Sequence, residues 1–146
     1  MFKMMTQDLN RYFNLKACIQ QRMVKCLVLI RTSRIDKLKS EGGVIKDNFR
    51  TEQKRVGPID SMRYLTNKPF TIFVERIAAK TQYGFHRPFR DSTGYSGNID
   101  VEMDGRILDN IDLNALRKEL NKYDLALVEK YCPLNVLVLK DNNKIE

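Results

Sequence analysis

The clearest secondary-structure pattern in the sequence is the stretch Asn98-Ile-Asp-Val-Glu-Met-Asp-Gly-Arg-Ile-Leu-Asp109, on which the fold prediction depends. Polar and apolar residues alternate from Asn98 to Met103, which is typical of a strand with one buried face. Asp104-Gly105 follows, and Asp-Gly between two strand-like runs favours a two-residue type I′ turn. We therefore predict a β-hairpin over residues 98–109, with Asp100, Glu102 and Asp104 on its polar face.

The residues after this hairpin repeat at the helical period. Their apolar side chains are spaced by three or four positions and form one stripe: Leu113, Leu116, Leu120, Tyr123, Leu127 and Tyr131. Asp112 stands where a carboxylate caps a helix N-terminus and complements its dipole. The pattern predicts an amphipathic helix over residues 113–131, ended by Cys132-Pro133, and then a strand from Leu134 to Leu139.

The residues upstream give weaker patterns. Phe70 to Ile77 is dense in β-branched and aromatic residues, which predicts a strand preceded by Pro69. Residues 7–21 contain neither glycine nor proline and predict a helix. For Met23 to Ile30 a continued helix is favoured, with a buried strand as the alternative.

These elements together predict one α+β domain over residues 1–146. It consists of a helical N-terminal segment (1–43), an irregular basic segment (44–68) and an α+β core (69–146). In the core, a small, mostly antiparallel sheet carries the amphipathic helix on one face. At this length, one hydrophobic core is sufficient for stability.

The net charge of +8 is distributed unevenly along the chain. Residues 1–90 carry 19 basic and 7 acidic side chains, a net charge of +12, whereas residues 91–146 carry 7 and 11, a net charge of −4. A basic region of this kind indicates an anionic partner: a nucleic-acid backbone, an acidic protein surface or an anionic lipid surface.

The segment Lys80 to Arg90 is the strongest candidate for a binding surface. It interleaves aromatic with cationic side chains, the combination that holds single-stranded nucleic acid by base stacking and phosphate contacts. The alternative is a loop whose aromatic side chains pack against the core. The candidate nucleic-acid-binding residues, including neighbouring cations, are Lys54, Arg55, Arg63, Lys68, Lys80, Tyr83, Phe85, His86, Arg87, Phe89 and Arg90.

The acidic residues of the hairpin are weak candidates for a metal site. Asp100, Glu102 and Asp104 have the spacing of the first half of a calcium loop, but Ile111 stands where the bidentate Glu is required. A metal-dependent phosphodiesterase would use such carboxylates. His86 is the only histidine, which excludes a site with several histidine ligands. We therefore predict no metal, no cofactor and no catalytic residues.

The number of cysteines and the hydropathy pattern help to predict the cellular compartment of the protein. Three cysteines are an odd number in a chain that does not need disulfides, which favours free thiols in a reducing compartment. No apolar run is long enough to span a membrane. We expect an intracellular protein of the cytoplasm, with the mitochondrial matrix as an alternative because residues 1–35 are basic and poor in acids.

The leading functional hypothesis is a nucleic-acid-binding protein, RNA being preferred, that acts without catalysis in a ribonucleoprotein or another large assembly. The alternative is a protein-interaction module or inhibitor, of viral or phage type, whose basic region complements an acidic partner. A metal-dependent phosphodiesterase is a second alternative.

Overall fold

The computed structural model describes residues 2–13, 15–49, 62–109 and 112–141. These residues form four helices and six strands, and the predicted α+β class is confirmed. The elements are α1 (Phe2–Tyr12), β1 (Leu15–Arg31), β2 (Lys46–Asp47), β3 (Met62–Pro69), α2 (Phe70–Phe85), β4 (Phe89–Asp91), β5 (Asn98–Asp104), α3 (Gly105–Asp109), α4 (Leu113–Asn121) and β6 (Leu125–Asp141). The sheets have the strand orders β4-β1-β6 and β2-β3-β5.

The chain divides into two compact units, and the predicted single domain stays a prediction. Unit 1 consists of Met1–Val24 with Tyr131–Glu146, and unit 2 consists of Lys25–Lys130. In unit 1, α1 ends at Tyr12, and the backbone N–H of Ala17 donates a hydrogen bond to Asn10 Oδ1 at 2.6 Å. The chain therefore changes from helix to strand between these residues.

The predicted helical segment over residues 1–43 is wrong beyond α1, because Leu15 to Arg31 is a strand. Within unit 2, Cys26 to Leu29 are four consecutive buried residues. This strand lies between β4 and β6, and a central strand covered on both faces has a continuous apolar sequence rather than an alternating one. The spacing of Met23, Cys26 and Ile30 coincided with a helical stripe.

The residues from Phe70 form helix α2, so the predicted strand over residues 70–77 is wrong. The buried residues of α2 are Phe70, Phe73, Ile77 and Thr81, at spacings of three and four. This period directs one helical face to the core, although many residues of the segment have high strand propensity. Pro69 stands at the N-cap, where its missing N–H is not needed.

The predicted hairpin over residues 98–109 is wrong in its second half. β5 confirms the first half: Ile99, Val101 and Met103 are buried, and the alternate residues are polar. Gly105 does not adopt the positive φ that a type I′ turn requires, and it begins α3 instead. β5 pairs with β3, in an antiparallel register that places Leu65 opposite Val101. Within the segment 44–68, which was predicted to be irregular, residues 46–47 and 62–68 therefore belong to strands.

The predicted helix over residues 113–131 ends at Asn121. Its cap is confirmed: Asp112 Oδ1 accepts hydrogen bonds from the backbone N–H groups of Asn114 and Ala115, at 2.8 and 3.3 Å. Asp124 has a φ of 54°, a left-handed conformation that a continuing helix cannot contain. β6 begins at Leu125 and includes the predicted strand from Leu134 to Leu139.

The core of unit 2 combines both sheets with α2 and α4. Rings are prominent in it: Phe73 contacts Phe49 and Phe70, with centroid distances of 5.8 and 5.9 Å, and Phe70 also contacts Tyr95 at 5.0 Å. Leucine and isoleucine side chains of β1, β3, β5, α4 and β6 fill the remaining space. The core therefore fixes the end of α2 relative to β1 and β4.

Among the strands of the described residues, the long strand β6 lies at an edge of its sheet. In unit 2, Arg117 of α4 reaches this edge, and its Nε donates a hydrogen bond to the Leu127 carbonyl at 2.9 Å. Within β6, Pro133 has no N–H to offer to a further strand. A cationic cover and a proline are two ways in which proteins protect an exposed sheet edge from pairing.

Candidate nucleic-acid interface

The candidate surface begins in the last turn of α2. The helix ends at His86, which adopts a left-handed conformation with φ 50° and ψ 37°. Pro88 follows, and β4 then runs parallel to β1, with Leu27 opposite Phe89 and Val28 opposite Arg90. Hydrogen bonds from Leu27 N to Pro88 O and from Ser92 N to Leu29 O fix the two ends of β4.

The aromatic side chains of this segment differ in their surroundings. Phe85 and Phe89 are partly buried and pack against the core of unit 2, as the alternative sequence interpretation proposed. Tyr83 is 80% exposed, while His86 and Arg90 are also exposed. Tyr83 is therefore the aromatic side chain that a base could stack on, and the two phenylalanines position the surface.

Arg87 belongs to a cluster of three charged side chains. Arg87 Nη1 and Lys25 Nζ form ion pairs with Glu129, each with a different oxygen of its carboxylate. The hydrogen bond from Lys25 lowers the pKa of Glu129 most; partial burial opposes this, and the charges of Arg87 and Lys25 lower the pKa further. Glu129 therefore stays ionised at neutral pH.

Sequence reasoning missed Lys25 and Glu129. Lys25 lies in β1, two residues before Leu27, and Arg87 lies two residues before Phe89, the partner of Leu27 in β4. β6 lies on the other side of β1 and supplies Glu129. No local pattern identifies residues that only strand pairing brings together.

The other candidate cations lie on different elements. Arg63 and Lys68 are in β3, and Lys68 Nζ lies 4.0 Å from Asp47 Oδ2. Lys80 is half-buried on α2 and lines a cleft of about 10 Å³ with Phe85 and Leu116, large enough for one water. Lys54 and Arg55 lie outside the described residues.

The acidic candidates have local structural contacts. Asp100 accepts hydrogen bonds from the backbone N–H groups of Asn67 at 2.7 Å and Glu41 at 3.2 Å. Burial raises the pKa of Asp100, but these bonds and one from Ser40 outweigh it, so the pKa is lowered. Asp104 accepts from Arg106, whose side-chain hydrogen bond is the main cause of a lowered Asp104 pKa. Asp100 therefore joins the segment at Glu41 to β3, and Asp104 joins the end of β5 to α3.

Glu102 lies beside an open groove. The groove has a volume of about 490 Å³ and is lined by Lys46, Tyr64, Leu65, Thr66, Asp100, Val101, Glu102 and Tyr123. The Tyr123 hydroxyl donates to the Glu102 carbonyl at 2.9 Å and accepts from its N–H at 2.7 Å. Within the described residues, no three His, Cys, Asp or Glu side chains lie close enough together to hold a metal ion.

Two further observations concern partners. None of the helices in the described part of the chain is long and apolar enough to cross a membrane. Comparisons with protein-family models, curated proteins and solved structures find no match to this chain.

Proposed function

We propose that the chain binds single-stranded nucleic acid, RNA being preferred, through the surface formed by the end of α2 and by β4. The observation that carries this proposal is the exposed ring of Tyr83, in a segment that continues into the exposed His86 and Arg90. An exposed aromatic face stacks on any base, and neighbouring cations follow the phosphates.

The charge of the segment supports the same proposal. Residues 76–90 contain four basic residues and no acidic residue. Of the arginines in this segment, Arg76 pairs with Asp47 and Arg87 pairs with Glu129. Arg90 of β4 is exposed, so we expect it to contact a phosphate. The protein would act without catalysis, as a component of a ribonucleoprotein in a reducing compartment, where its three free cysteines stay reduced.

Fluorescence anisotropy with a labelled single-stranded RNA, repeated over a range of salt concentrations, tests the proposal. The logarithm of the binding constant should fall linearly with the logarithm of salt concentration, by about 0.7 for each phosphate contact. Arg90→Ala should weaken binding and reduce this slope by about 0.7. Arg34→Ala, which removes an exposed cation of unit 2 outside this segment, is the matched control.

The same titration with single-stranded DNA, duplex RNA and duplex DNA measures the preference. Tighter binding of single strands than of duplexes supports stacking on Tyr83, because duplex bases are already stacked. Absence of binding at low salt, or binding that does not depend on salt, would refute the proposal.

A second candidate function, interaction with an acidic protein surface, is favoured by unit 1. Eight of the fourteen exposed large apolar side chains among the described residues belong to this unit: Met4, Met5, Tyr12, Phe13, Ile19, Met23, Tyr131 and Leu139. At about 100 Å² each, they provide about 800 Å², the size of one side of a typical protein interface. Its described side chains include four basic and two acidic residues.

Affinity capture after nuclease treatment tests this second function, because nuclease removes proteins that are bridged by nucleic acid. The variant Ile19→Glu/Met23→Glu should lose the captured proteins that the unsubstituted chain retains. Equal recovery by both chains would contradict a protein interface on unit 1.

A further inference from the structure

Glu129 makes contacts that a phosphate group could replace. One carboxylate oxygen pairs with Lys25 Nζ and the other with Arg87 Nη1. A phosphodiester likewise presents two unesterified oxygens, and Arg and Lys side chains that bind a carboxylate also bind phosphate. The two cations therefore lie at a spacing that accommodates one anionic group with two oxygens.

All three side chains are accessible to solvent. The exposed fractions are 47% for Lys25, 37% for Arg87 and 29% for Glu129. Ion pairs at this exposure contribute little to stability, so breaking them costs little free energy. An anion from solution can therefore displace the Glu129 carboxylate without disturbing the fold.

The position of the cluster agrees with the proposed binding surface. Arg87 lies four residues after Tyr83, and Glu129 joins it to Lys25 of β1 through their two ion pairs. The cluster therefore includes a residue of the same segment that carries Tyr83, on which a base is proposed to stack.

We propose that Lys25 and Arg87 form a binding site for a phosphodiester group of single-stranded nucleic acid, and that Glu129 occupies this site in the unbound protein as an internal competitor. This site rests on the proposed function. Binding exchanges two ion pairs within the protein for two with the phosphate, and the released Glu129 carboxylate becomes solvated.

The test is the substitution Glu129→Gln, which keeps the size of the side chain and removes its charge. Glu75→Gln is the matched control, because Glu75 is an exposed glutamate of α2 and its substitution changes the net charge equally. Anisotropy with labelled single-stranded RNA should show binding that is roughly 3- to 10-fold tighter for Glu129→Gln, since two exposed ion pairs no longer compete. Glu75→Gln should change the affinity less than 2-fold.

Two further variants assign the gain to the two cations. Lys25→Ala and Arg87→Ala, each combined with Glu129→Gln, should abolish the gain in affinity, while circular dichroism verifies that every variant is folded. If the unsubstituted chain binds RNA and Glu129→Gln binds no more tightly than Glu75→Gln, this site is refuted and the proposed function stands. If neither the unsubstituted chain nor Glu129→Gln binds RNA, both proposals fail.

Discussion

The guanidinium group of Arg76 holds both carboxylate oxygens of Asp47, with Nη1–Oδ1 and Nη2–Oδ2 distances of 2.6 and 2.8 Å. The two side chains are 18% and 12% exposed, and their pair joins α2 to β2. Asp47→Asn leaves a largely buried guanidinium without its counter-charge, which should cost about 1–3 kcal/mol of unfolding free energy. Urea unfolding measures this loss, and the exposed Asp8→Asn should leave the midpoint unchanged.

The same pair predicts a dependence of stability on pH. The hydrogen bond from Arg76 is the largest cause of a lowered Asp47 pKa; burial opposes it, and the Phe49 N–H and the charges of Arg76 and Lys68 add to it. Because the folded-state pKa of Asp47 lies below the ordinary aspartate value of 3.8, this contribution is fully present above that value and decreases as pH falls through the folded-state pKa. Asp47→Asn should therefore reduce the slope of stability against pH in acid, and an identical slope for both chains would contradict the assignment.

His86 ends α2 in a left-handed conformation that glycine adopts without steric cost. His86→Gly should therefore raise the unfolding free energy by about 0.5–1 kcal/mol. This is the difference between two contributions: the steric cost of a β-carbon at positive φ is removed, but glycine loses more backbone entropy on folding than histidine does. Thermal unfolding followed by circular dichroism measures the change. His86→Ala keeps the β-carbon and should give no stabilisation; equal gains for both variants would assign the effect to the imidazole instead.

Arg117 covers the edge of β6 through its hydrogen bond to the Leu127 carbonyl. Arg117→Ala should expose this part of the edge and increase self-association, since an uncovered strand pairs with other chains. Sedimentation velocity at increasing protein concentration detects the association. Lys118→Ala, on the same helix and exposed, controls for the lost charge, and equal association in both variants would contradict a covering role for Arg117.

Tyr83 should contribute to nucleic-acid affinity through its ring rather than its hydroxyl. Tyr83→Ala should weaken binding of single-stranded RNA by roughly 5- to 100-fold, because stacking of one base contributes about 1–3 kcal/mol. Tyr83→Phe should retain the affinity, and the salt dependence should stay the same because stacking releases no counterions. Tyr131→Ala, which removes an exposed ring of unit 1, is the control; equal losses for Tyr83→Ala and Tyr131→Ala would argue against a specific stacking site.

The sequence was sufficient to predict the α+β class, the alternation of β5 and the cap at Asp112, because each depends on short-range periodicity or a local hydrogen bond. It was misleading at Phe70–Ile77, where residues of high strand propensity form α2. The spacing of Phe70, Phe73 and Ile77 was the correct signal, and burial of one helical face outweighed intrinsic propensity.

Helices were predicted for a different reason where β1 and the first part of β6 lie, although Leu134 to Leu139 was correctly predicted as a strand and a strand was the alternative for Met23 to Ile30. Cys26 to Leu29 are buried because both faces of β1 are covered at this point, and Tyr123, Leu127 and Tyr131 match a helical period by coincidence. Asp124, at positive φ, ends the helical conformation, although nothing in the spacing of the leucines indicates it. Lys25 and Glu129 come together through the pairing of β1 with β6, so no local sequence pattern could predict their cluster with Arg87.

Unit 1 consists of two segments that are separated in the sequence by unit 2: Met1–Val24 precedes unit 2, and Tyr131–Glu146 follows unit 2. During synthesis, unit 2 can therefore complete its core while Met1–Val24 still lacks its partner segment. The exposed Met, Tyr and Phe side chains of α1 and of Phe13 emerge from the ribosome before unit 2, and the strand segment that completes their unit emerges after it. Contacts of such high sequence separation form slowly, so these apolar side chains stay without their partner segment until unit 2 has been synthesised.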